Sequence, residues 1–130
     1  MAELISAPIR IPVPGGKVID EYVGRVATGS DSVSVAHMVA PGGWVEPAQA
    51  PDFDEITVVL RGVVHVEVTA DGGATETIVV PAGQALITRA GERVRYSSGN
   101  VETEYVAVCM PAFSPDNVHR DAETDGGVSS

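Results

Sequence analysis

The segment EPAQAPDFDEITVVLRG, Glu46 to Gly62, gathers side chains that could move a proton or hold a cation. Glu46, Asp52, Asp54 and Glu55 bring carboxylates, and Gln49 brings an amide. After Glu55 the chain turns apolar and β-branched (ITVVL), so this acid opens a strand that a core would cover. A carboxylate removed from water must be hydrogen-bonded, protonated or paired with a cation. Burial also raises its pKa, which suits a general acid or base. The plainer reading is a structural hydrogen bond. The four acids could instead hold a hard cation through oxygen, although Phe53 interrupts the ligand rhythm of a calcium loop.

Other chemistries have less to build on. His37, His65 and His119 share no chelating spacing and read as surface or interface residues. The one cysteine, Cys109, allows no disulfide within the chain and no paired-cysteine zinc site. As a nucleophile it would need a base and an electropositive setting, so a buried small residue is the better reading. Arg89 could clamp a carboxylate, or pair with a surface acid. Neither a phosphate loop, a Ser–His–Asp set nor a dinucleotide fingerprint is present, and no metal or cofactor is expected. Eight basic residues stand against 18 acidic ones, for a net charge of -10. Without a basic stripe, neither a nucleic acid nor an anionic membrane is expected as partner. The opening MAELISAPIRIPVP lacks the charge and apolar run of a signal peptide, and no stretch has the length of a membrane span. A cytoplasmic protein is expected.

These residues need a frame, and 130 residues suit one domain. Fourteen glycines and nine prolines interrupt the chain too often for average helices, and the windows between them show no helical period. Turn signals such as APGG, ADGG, RAGE and SSGN separate short β-branched runs. Strands are expected over 17–26, 32–40, 44–49, 55–61, 63–70, 75–80, 84–89, 93–97 and 101–110, giving an all-β sandwich or barrel. The last of these is apolar on both faces, which predicts cover on both sides. The closing DAETDGGVSS is acidic and small, and disorder is expected at the end of the tail.

The spacing resembles that of the cupins, small double-sheet jelly rolls. Their first motif places glycine, His-x-His, glutamate and glycine at intervals met here by Gly43, Gln49-Ala50-Pro51, Glu55 and Gly62. Their second places glycine, Pro-x-Gly and histidine at intervals met by Gly83, Arg89-Ala90-Gly91 and Val94. Of the four usual metal ligands, only Glu55 is present. FDEITVVLRG, GERVRY and VAVCMPAF look like the ethanolamine-utilisation EutQ type, which also lacks the histidines. The resemblance implies a single-domain cupin double-stranded β-helix over residues 17–113, between an N-terminal arm (1–16) and a tail (114–130). It also implies a homodimer, with PIRIPVPGGK as a candidate partner-crossing strand.

Cupins carry their site inside the barrel, so alternation selects the candidates. Glu55, Thr57 and Val59 then point inward, as do Val64, Val66 and Val68, leaving His65 and Glu67 outside. Leu86, Thr88, Val94 and Tyr96 follow, then Tyr105, Ala107 and Cys109, with Gln49, Trp44, Glu46 and Arg89 near the rim. Apolar walls with a few polar groups make a small-molecule cavity. The expected function is a metal-independent enzyme moving a proton on a small organic molecule, as an isomerase, epimerase, lyase or cyclase. Glu55, Gln49 and Tyr96 would be its catalytic residues. Substrate would be bound by Tyr105, Thr57, Thr88, Leu86, Val94, Arg89, Glu46, Trp44 and Cys109. The alternatives are a non-catalytic small-molecule binder, or a cupin with an oxygen-ligated metal.

Overall fold

A computed structural model describes residues 1–121, and most of the expected disordered tail lies outside them. Among the described residues nine strands form two antiparallel sheets. In chain order they are β1 (Ile9–Ile11), β2 (Val18–Val23), β3 (Ser34–Ala40), β4 (Asp54–Arg61), β5 (Val63–Thr69), β6 (Thr75–Pro81), β7 (Ala85–Thr88), β8 (Arg93–Ser97) and β9 (Thr103–Met110). The larger sheet runs β1-β2-β3-β9-β4-β7, and the smaller runs β6-β5-β8. Among the described residues there is no helix, as the dense glycine and proline punctuation requires.

Alternation decides which side chains fill the space between the sheets. β4 and β9 pair so that Glu55 faces Cys109, Thr57 faces Ala107 and Val59 faces Tyr105, all on the inner side. Val64 and Val66 of β5 answer from the smaller sheet, with Val94 and Tyr96 of β8. Together with Ala40, Val80, Tyr105 and Ala107 they make one contiguous core. Burying each valine contributes roughly 1.5–3 kcal/mol.

Two expectations need correction, the strand over 44–49 and the cover on both faces of β9. Residues 44–49 form only isolated bridges, Val45 with Ser97 and Gln49 with Val94 and Arg120. Pro47, with no N–H to donate, denies this segment a continuous ladder. The N-terminal arm pairs with β2 of its own chain, Ile9 opposite Glu21 and Ile11 opposite Ile19. Nothing among the described residues fully covers the second face of β9: Val106 and Val108 are half-buried, and Met110 is exposed.

The chain passes from the larger sheet to the smaller between β4 and β5, and Gly62 makes that corner. Its φ is 81°, in the left-handed region. A Cβ there would lie 2.5 Å from Thr103 Oγ1 and 2.6 Å from the Glu102 carbonyl oxygen. The Thr103 hydroxyl cannot retreat, because it accepts from the Val63 N–H and donates to a backbone carbonyl of Val63 or Val101. Gly62→Ala should therefore cost at least about 2 kcal/mol, read from the urea midpoint. Gly73→Ala, at a positive φ with open space around it, should cost clearly less. Equal losses would mean that the corner carries no steric constraint.

Candidate functional site

A cavity of about 190 Å³ opens between the inner face of the larger sheet, the 44–53 loop and the segment after β9. Glu55 reaches it from β4, Tyr105 and Cys109 from β9, and Tyr96 from β8, because each occupies an inward register position. The loop adds Trp44, Glu46 and Gln49. The loop is held by backbone hydrogen bonds on two sides. Gln49 exchanges both of its bonds with Val94. Residues 48–52 also pair with the strap 117–121, where Ala50 donates to His119, Asp52 to Asn117, and Asp121 to Ala48.

Seven of the expected site residues therefore share one cavity: Glu55, Gln49, Tyr96, Tyr105, Glu46, Trp44 and Cys109. The other five do not line it. Thr57 and Val94 are buried in the barrel filling, with relative exposures of 1% each. Leu86 packs on that core. Thr88 stands behind Tyr96, its hydroxyl 3.1 Å from the phenol oxygen. Arg89 is exposed, 3.8 Å from Asp54. Alternation gives the face a side chain takes but not its depth along the barrel: Thr57, Val94, Leu86 and Thr88 sit off the cavity's depth, and Arg89, past the end of β7, turns outward.

The cavity also holds residues that the sequence did not suggest. Lys17, at the end of the PVPGGK turn, sets its ammonium 4.0 Å from the Trp44 ring centroid and 5.3 Å from that of Tyr105. Such a contact is worth roughly 0.5–2 kcal/mol. Arg120, from the strap, donates through Nε and Nη2 to Gln49 Oε1 at 3.3 Å each and lies 3.9 Å from Glu46. Glu21, Phe53 and Phe113 complete the wall. No local pattern announces Lys17 or Arg120, because both arrive through pairings distant in sequence.

The buried acids respond to their surroundings. Removal from water pushes the Glu55 carboxyl up to about 7, and the neighbouring Glu46 charge adds to this. Lys17, a 3.3 Å hydrogen bond from the Tyr96 hydroxyl, and Arg120 oppose the shift. With Tyr96 donating to Glu55, Thr88 must donate to Tyr96, which fixes a three-residue relay. Glu46 is raised by desolvation against the pull of Lys17 and Arg120, and desolvation lowers Lys17. Burial and the Glu55 charge keep Cys109 a thiol, which removes it as a nucleophile.

The usual cupin metal does not fit this donor set. Its ligand positions hold Gln49, Pro51, Glu55 and Val94, and the Gln49 oxygen is already taken by Arg120. The acids expected to gather round a hard cation are dispersed, with Asp52 on His119 and Asp54 on Arg89. Among the described residues no three His, Cys, Asp or Glu side chains converge.

Glu55 supplies a pH test. Its folded pKa, about 7, lies above the ordinary 4.5, so its protonated form favours folding. That contribution is complete below about pH 4.5 and is lost as the pH rises through 7, on the order of 3 kcal/mol in all. Urea unfolding of wild type and Glu55→Gln at pH 5 and 8 should show wild type losing stability relative to the variant on going to pH 8. Parallel behaviour of the two would mean that the carboxyl is solvated.

No protein-family model matches the chain. It is 44% identical over 112 residues to the endoribonuclease YbeY of Myxococcus xanthus, a match covering 85% of this chain and 36% of that protein. The chain thus spans about a third of the length of this curated relative. That likeness overturns the expected proton-transfer enzyme (isomerase, epimerase, lyase or cyclase) on a small molecule, with its binder and metal alternatives. It equally overturns the expected small-molecule partner, the exclusion of nucleic acid and the ethanolamine-utilisation type. The exclusion rested on net charge, which sums over the whole surface, whereas two cations, Lys17 and Arg120, stand inside one cavity. The oxalate decarboxylase of Bacillus subtilis superposes with a TM-score of 0.76 at 15% identity, over 89% of this chain and 30% of that one. A tryptophan variant of the same enzyme gives 0.77 at 15%, over 90% and 31%. Among the described residues no helix is long and apolar enough to cross a membrane. Two antiparallel sheets closing round an inward-facing glutamate, superposing on these structures, give the chain the cupin fold.

Proposed function

We propose that the chain serves RNA processing as a cupin module that seats one unpaired nucleotide in its barrel cavity. The observation that carries this reading is the 44% identity to an endoribonuclease. The cavity supports it. Trp44 and Tyr105 line the cavity, with the Lys17 ammonium over their rings, and aromatic contacts to bases are worth about 1–3 kcal/mol. Glu46, Glu55 and Tyr105 offer hydrogen-bonding groups, and Arg120 at the rim offers a phosphate contact. At about 190 Å³ the space is below the roughly 300–1,000 Å³ of drug-sized sites, and suits a single ring system.

The module holds RNA and does not cut it. Strand scission needs acid and base groups within hydrogen-bond reach of one phosphate linkage. Here both carboxylates with raised pKa, Glu46 and Glu55, lie inside a cavity too small for a linkage and its flanking sugars. Glu55, Gln49 and Tyr96 accordingly position the base, Gln49 by holding Arg120 and Tyr96 by fixing Glu55. With a net charge of -10 the protein repels an extended backbone, so contact is confined to the cavity.

Trp44 is the only tryptophan, so its fluorescence reports the site directly. Titration with a five-nucleotide RNA should quench it saturably, and Trp44→Phe should abolish the signal. Among the described residues Lys17 and Arg120 are the only cations of the cavity, so the slope of log K against log salt should be no steeper than about −1.4. Absence of binding would overturn the reading, and shortening of the RNA on a gel would overturn its non-cutting part.

A further inference from the structure

Resting on that reading, we infer that the base seated in the cavity is guanine, recognised by the Glu46 carboxylate beside Lys17 and Arg120. The four bases differ in the order of donors and acceptors along the pairing edge. Guanine alone presents two adjacent N–H groups, N2 and N1, followed by the acceptor O6. Its complement is a carboxylate, which accepts twice, next to a cation, which donates once.

The cavity holds that pair. The Glu46 side chain is 13% exposed and has one polar partner among the described residues, the Arg120 guanidinium at the long distance of 3.9 Å. Its acceptor capacity is therefore largely unspent. Lys17 makes no hydrogen bond or ion pair among the described residues, and its contacts are the faces of Trp44 and Tyr105. Its three N–H donors are free to meet O6. Adenine and cytosine set a ring-nitrogen acceptor where guanine has N1–H, and uracil, which keeps a ring N–H, sets a carbonyl oxygen where guanine has its amino group, so each would turn an acceptor to the carboxylate. Glu55 does not serve as well, because one of its oxygens already accepts from Tyr96.

The test uses the full chain and four pentanucleotides of uridine with a central guanosine, adenosine, cytidine or inosine, read by Trp44 fluorescence. Guanosine should bind about tenfold or more tightly than adenosine or cytidine, the scale of one bidentate contact. Inosine lacks the N2 amino group and should lose most of that margin. Glu46→Gln should erase it while leaving a residual, unselective affinity. Because the inosine comparison uses wild-type protein, the inference is decided even if the variant does not fold. Equal binding of all four RNAs would overturn the guanine assignment and leave the RNA reading standing. Binding of none would overturn both.

Discussion

The carboxylate of Glu55 is the constraint to which the rest of the barrel answers. β4 cannot turn it outward without also exposing Thr57 and Val59, because residues two apart share a face. The acid is therefore enclosed, where an unshared charge is costly. The Tyr96 hydroxyl donates to it, with Thr88 behind. Lys17 and Arg120 bring positive charge, and the carboxyl itself accepts a proton near neutrality. Lys17 precedes β2 and Arg120 follows β9, so the arm and the strap are drawn to the same cavity by its charge as well as by backbone pairing.

That balance also explains what the sequence could disclose. Period-two alternation through DEITVVL and TEYVAVCM, with glycine at the corners, makes the barrel and its inner faces legible. Glu55, Tyr105 and Cys109 follow directly, since each lies on the inner side of a long regular strand. Depth is not legible. Thr57 and Glu55 share a face, yet one lies in the filling and the other lines the cavity, because where the filling ends depends on Tyr105, Val94 and Val66 meeting across two sheets. Lys17 and Arg120 are illegible for a related reason. Each sits in a turn-like stretch of ordinary surface composition and gains its place only through tertiary pairing.

Net charge bounds the kind of contact a protein makes and not each contact. A net -10 is a sound argument against a protein that tracks many phosphates, because each contact requires its own cation. It says little about one nucleotide whose affinity comes from ring burial and edge hydrogen bonds. Most acids of this chain spend their charge on the outer surface, for example Glu102 and Glu104 on Arg61, and Asp20 on Arg10. The cavity has its own arithmetic, three glutamates against two cations, and Glu55 near its titration point sets the remainder.

The cupin spacing and the cupin ligands are separable for a physical reason. The intervals from Gly43 to Gly62 and from Gly83 to Val94 are fixed by barrel geometry. They set strand lengths between corners, and they bring Gln49 against Val94 through a pair of backbone hydrogen bonds that need no particular side chain. A metal requires more, namely four donors at the positions those bonds bring together. Here an amide, a proline and a valine stand there beside the acid, so the frame closes with hydrogen bonds and apolar contact alone. The interval pattern is thus evidence of fold. The chemistry must be read from what fills it, and in this chain that is a carboxylate balanced by cations from two distant segments.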